Sequence, residues 1–144
     1  MMNRINLICL GVNNLEQSLQ FYKSIGFQTT AQAGSPIVFF NNQGSKLELY
    51  PLQYLAADIN EENPPAVNHK LFSGITLACN MKSKEEVDQM MNMVKEAGGV
   101  IAKKPQPTDW GGYSGYFQDL DGYYWEVAYG SFWEFDENDM LIIN

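Results

Sequence analysis

The sequence predicts an α+β fold of two β-α-β-β-β modules. Two observations carry this: one order of strand-like and helix-like segments occurs twice along 144 residues, and each occurrence opens with an apolar period-2 run leading into a capped amphipathic helix. A chain of this length with 45% hydrophobic residues is expected to close its core as a single domain over residues 1–144.

The first module is assigned to residues 4–51. Ile5 to Val12 alternates, with Ile8, Leu10 and Val12 on one face and Leu7, Cys9 and Gly11 on the other. Asn13-Asn14 stops the strand. Asn14 then caps a helix with Gln17 three residues on, apolar residues at Leu15, Leu19 and Tyr22, and Gly26 as terminator. Strands are expected at Phe27 to Gln32, Pro36 to Asn41 and Lys46 to Tyr50, separated by Gly34 and by Asn42-Gln43-Gly44. Residues 52–70, with Pro64-Pro65 and the acidic Asp58, Glu61 and Glu62, read as a connecting loop.

The second module, residues 71–130, repeats the order. Phe72 to Cys79 is strand-like. Ser83 and Glu86 form a capping box for a helix through Val87, Met90, Met91 and Val94 to Gly98-Gly99. Strands follow at Val100 to Lys103, Gly112 to Gln118 and Tyr123 to Tyr129, the last two joined by Asp119-Leu120-Asp121-Gly122. Eight strands are thus expected to curve into an incompletely closed barrel with both helices outside. The tail, residues 131–144, carries Phe132, Trp133, Phe135, Leu141, Ile142 and Ile143 and is too apolar for a free acidic end.

Composition narrows the function. A net charge of −8 repels a phosphate backbone, so nucleic acid is not an expected partner. No segment reads as a signal core or membrane span, which points to a cytoplasmic protein. Cys9 and Cys79 lie in apolar runs without zinc or redox spacing and read as buried free thiols. The serines have no histidine base at a recognisable spacing, and Gly98-Gly99 and Gly111-Gly112 lack the Lys-Ser/Thr of a phosphate loop.

If each sheet is covered on one face by its helix, the other faces meet across a cleft. Alternation assigns Leu7, Cys9, Glu48, Tyr50, Gly74, Thr76, Tyr124 and Glu126 to its lining. Glu48 and Glu126 stand mid-strand between apolar neighbours, at equivalent places in the two halves. Their alternative is structural: half-buried carboxylates paired with Lys46, Lys103 or water.

Leu10 to Tyr22, Ile25-Gly26-Phe27, Asp119 to Glu126 and the run Trp110 to Phe117 resemble the vicinal oxygen chelate superfamily of glyoxalases, bleomycin-binding and fosfomycin-resistance proteins and extradiol dioxygenases. Leu120 stands where the family's turn has proline. Many members hold one divalent ion between early-strand and last-strand residues. By resemblance those positions fall on Leu7 and Gly74, and on Glu48 and Glu126. Leucine and glycine offer no lone pair, so two carboxylates remain, too few for Zn²⁺, Ni²⁺ or Fe²⁺. His69, the one histidine, is a weak substitute. No cofactor is therefore expected, the disfavoured alternative being a weakly held Zn²⁺, Ni²⁺ or Fe²⁺ on Glu48 and Glu126.

Three functions compete: a metal-free protein that sequesters a small molecule, a lyase or isomerase using Glu126 or Glu48 as general base, and a structural domain whose cleft is self-filled. The resemblance allows modules to pair within one chain or between two, hence a homodimer.

Overall fold

Apolar periodicity and capping chemistry settle most elements. The computed structural model describes residues 2–68 and 70–144. The chain falls into two units, Met1–His69 and Lys70–Asn144. In the first, strand β1 (Leu7–Val12) leads into helix α1 (Leu15–Ser24), whose N-cap Asn14 accepts from the Gln17 amide at 3.0 Å. Gly26, at φ 110°, lets the chain leave the helix in the left-handed region. Strands β2 (Val38–Phe39) and β3 (Lys46–Pro51) follow, and the sheet runs β1-β3-β2, with β1 parallel and β2 antiparallel to β3.

The helix-facing side of this sheet, Leu10, Val12, Val38, Leu47 and Leu49, is buried together with Leu19, Phe21 and Tyr22 of α1. Each such side chain contributes about 1.5–3 kcal/mol of transfer free energy. Tyr22, Phe27 and Phe40 close the core as a ring cluster, with centroids 5.5–5.8 Å apart.

Two expectations fail here. Phe27 to Gln32 is not a strand: the Thr29 hydroxyl donates to the Phe39 carbonyl at 2.6 Å and accepts from the Ala31 amide at 3.1 Å. A side chain takes the place of ladder bonds, so the segment stays irregular beside β2. The expected loop at 52–70 instead opens with helix α2 (Leu52–Ile59). Leu52, Leu55, Ala56 and Ile59 have helical spacing, and Leu52 and Leu55 cross Gly11.

In the second unit, strand β4 (Thr76–Met81) precedes helix α3 (Lys84–Glu96), where Ser83 Oγ accepts from the Glu86 amide at 3.1 Å. Glu86 reaches back to the Lys82 amide at 2.8 Å, completing a reciprocal cap. Val87, Met90, Met91 and Val94 are buried, so the two methionines fill core. Strands β5 (Val100–Pro107), β6 (Tyr113–Gln118) and β7 (Tyr124–Tyr129) give the order β4-β7-β6-β5, with β4 parallel to β7 and the other pairs antiparallel.

The turn before β7 is held by Asp119, whose carboxylate accepts from the Asp121 and Tyr123 amides at 3.0 and 2.9 Å. That Asx turn does not need the absent proline. The tail folds on its own unit: Phe135 bridges Leu141, Asp139 pairs with Lys82, and Trp133 stacks on Trp110 at 5.4 Å.

Among the described residues there are seven strands in two separate sheets, where eight were expected. No described helix is long and apolar enough to cross a membrane.

Candidate functional site

In each unit the helix covers one sheet face, and the polar alternates stand on the other. On β3, Leu47 and Leu49 are buried while Lys46, Glu48 and Tyr50 between them are half-buried. The parallel register sets Cys9 of β1 opposite Glu48. The Cys9 thiol faces the Glu48 carboxylate, and burial first, then the Glu48 charge, pushes its pKa up to about 11. Leu7 is on the same face, 47% exposed.

One end of this face is closed by α2. A Cβ on Gly11 would lie 2.6 Å from Leu52 Cδ1, so the absence of a side chain there admits the helix. Tyr54 of α2 meets Tyr50 edge-on at 6.2 Å.

The second unit repeats the arrangement with different donors. Trp125 and Val127 of β7 are buried, and Tyr124 and Glu126 are half-buried on the opposite face. Tyr116 of β6 is opposite Glu126. The pKa of its phenol is raised by burial first and by the neighbouring Glu126 second. Ala78 flanks Glu126 on the β4 side, and Phe72 packs edge-on against Tyr124 at 5.5 Å.

Aromatic rings close one end here. A Cβ on Gly112 would fall 1.9 Å from Trp110, and one on Gly130 would fall 3.0 Å from Trp133. The two glycines lie one step beyond the Tyr113–Tyr129 pair, and their bare backbone forms the floor beneath the stacked indoles.

The assigned residues thus divide by unit: Leu7, Cys9, Glu48 and Tyr50 share one sheet face, and Thr76, Tyr124 and Glu126 share another. Gly74 belongs to neither. It precedes β4 at φ 80°, outside the ladder, because β4 starts at Thr76 rather than Phe72.

Register supplies the corrected equivalence. Leu7 is two residues before Cys9, which faces Glu48, and Thr76 is two residues before Ala78, which faces Glu126. Thr76, not Gly74, occupies the early-strand position of the second unit. The structural alternative of a lysine partner is not what the side chains adopt: Lys46 Nζ donates to the Asn42 carbonyl, and neither Lys46 nor Lys103 forms an ion pair with Glu48 or Glu126. Alternation alone shows Tyr116 on the face of Glu126, but its pairing needs the β6–β7 register.

A divalent ion does not fit these donors. One face offers a thiol and a carboxylate, the other a carboxylate. Among the described residues no group of three or more His, Cys, Asp or Glu stands where it could hold a metal. His69 lies outside the described residues.

Fold and site define a glyoxalase-like protein with a half-buried glutamate on β3 of one unit and on β7 of the other. The chain belongs to the Glyoxalase/Bleomycin resistance protein/Dioxygenase superfamily, whose family model matches residues 4–127. A glyoxalase-related enzyme from Fulvimarina pelagi is 27% identical, with a TM-score of 0.85 and 99% of each chain covered. A hypothetical protein from S. aureus is also 27% identical, with a TM-score of 0.76 over 90% of this chain and 95% of that one. A lactoylglutathione lyase from Agrobacterium tumefaciens, 20% identical with a TM-score of 0.67 over 94% of this chain and 100% of that one, shares the fold. No curated protein matches the chain.

Proposed function

We propose that this chain is a small-molecule-binding member of the superfamily that receives its ligand on the open sheet faces around Glu48 and Glu126, without a metal ion. The observation that carries the reading is the neutral donor beside each glutamate: the Cys9 thiol for Glu48 and the Tyr116 phenol for Glu126. A carboxylate beside one such donor keeps acceptor positions for a ligand hydroxyl or amine. The flanking rings, Tyr50 and Tyr54 on one face and Tyr124 and Phe72 on the other, supply flat apolar contact of the kind small-molecule sites use.

The enzymatic alternative has one specific support, since Glu126 and Tyr116, a base and an acid, are cross-strand neighbours. Proton abstraction beside a carbonyl also wants an electrophile on that carbonyl, and the phenol is the one donor available to serve.

A thermal-shift screen of chelator-treated protein against small organic compounds separates the readings. Hits that bind without added metal, weaken in Glu48→Gln or Glu126→Gln, and are recovered unchanged by NMR support binding. A requirement for added zinc, nickel or iron, or steady consumption of a hit, would overturn it.

A further inference from the structure

The open face of the first unit continues past Glu48 into a hollow of about 550 Å³ whose lining includes Leu7, Thr29, Thr30, Phe39, Asn41 and Lys46. Its charge is unlike that of the chain. The protein carries seventeen acidic and nine basic residues, yet the residues around this hollow include one cation and no acid.

That cation is not neutralised. Lys46 is half-buried, its ammonium donates to the Asn42 carbonyl, and no described carboxylate lies within ion-pair distance. Glu48 is the nearest candidate along β3, on the same face, but it stands opposite Cys9 and forms no ion pair with Lys46. A lysine ammonium has three donors, so two remain for a ligand. Thr30 and Asn41 add further polar groups at the rim, while Leu7 and Phe39, each nearly half exposed, offer an apolar wall.

We infer that this hollow binds a small organic acid, with its anionic head on the Lys46 ammonium and its apolar body against Leu7 and Phe39. The inference rests on the binding function proposed above and names the ligand class for the first unit's face. A charge-assisted bond in a partly desolvated hollow is the interaction that separates an acid from its neutral analogue. The apolar wall separates an organic acid from a bare inorganic anion.

Amide NMR titration tests this with four probes: phenylacetate, phenylphosphonate, phenylacetamide and inorganic phosphate. The two organic anions should shift the amides of Leu7, Thr29, Thr30, Phe39 and Lys46, and whichever binds tighter identifies the head as carboxylate or phosphonate. Phenylacetamide and inorganic phosphate should bind at least roughly tenfold more weakly. Lys46→Met should lose the organic anions by a similar factor, and Lys46→Arg should keep them, which separates charge from fold.

Equal binding of phenylacetamide and phenylacetate would overturn the inference and leave the binding function standing. So would Lys46→Met titrating like wild type. If none of the four probes shifts these amides, the inference also fails, and a screen without hits on either sheet face would then remove the binding function itself.

Discussion

At the scale of single residues, the Cys9–Glu48 pair is the most informative contact, because each member changes what the other can do. Burial and the neighbouring carboxylate hold the thiol protonated. Glu48→Gln removes the charge and leaves the burial, so Cys9 should alkylate severalfold faster at about pH 8 while Cys79 stays unchanged. Peptide mapping after iodoacetamide reads this directly, and an unchanged Cys9 rate would deny the contact. Both thiols have pKa values raised from 9.0 to about 11. The folded state therefore keeps protons that the unfolded chain releases, so stability should fall as pH rises through that interval. Chemical denaturation across the window checks the sign. Leu7→His is predicted to place an imidazole beside Cys9 and Glu48, giving a nitrogen, sulfur and oxygen set for Zn²⁺. Calorimetry should show at least roughly tenfold tighter zinc binding than wild type, strengthening with pH as the thiol proton is displaced, and Cys9→Ser should erase the gain. Gly74→His should bind no better than wild type and should lose roughly 1–2 kcal/mol of stability, since its φ of 80° suits glycine.

At the scale of elements, legibility in the sequence followed the range of the forces involved. Capping boxes and helical stripes act within a few residues, so α1 and α3 were readable from Asn14, Gln17, Ser83 and Glu86. Helix α2 was hidden by its setting, between Pro51 and the acidic, proline-bearing stretch, although its apolar spacing is helical. The segment after Gly26 alternates like a strand, and only the Thr29–Phe39 bond reveals why it is not one. Gly74 looked like a strand glycine because the apolar Phe72 and Ile75 around it extend the β4 pattern backwards. Alternation and the family resemblance both singled out Glu48 and Glu126, but the partners that face them follow from strand registers that no local pattern carries. The glycines beneath α2 and beneath the indoles test the element scale. Gly112→Ala should displace Trp110, visible as a changed tryptophan emission and a stability loss on the order of 1–3 kcal/mol. An unaltered spectrum with native stability would mean the stacked pair does not rest on that backbone.

At the scale of the whole molecule, the chain carries two cores, one centred on Leu49 and Val38 and the other on Val127, Phe117 and Val94. Leu49→Ala should cost about 2–5 kcal/mol, and amide hydrogen exchange should rise over Leu7–Ile59 more than over Thr76–Tyr129. Uniform acceleration throughout would show one cooperative block. The parallel pairing of β4 with β7 has a consequence for biosynthesis. Strand β7 lies between β4 and β6, yet it is the last strand of its sheet to be translated. A nascent chain that has emerged only as far as Gln118 holds β4 with no neighbour in its sheet and α3 with part of the surface it covers still missing. Until Tyr129 leaves the ribosome, that half presents an open edge and uncovered apolar surface, the state in which chaperones capture chains and truncated products aggregate. Premature stop codons between β6 and β7 should therefore yield insoluble protein.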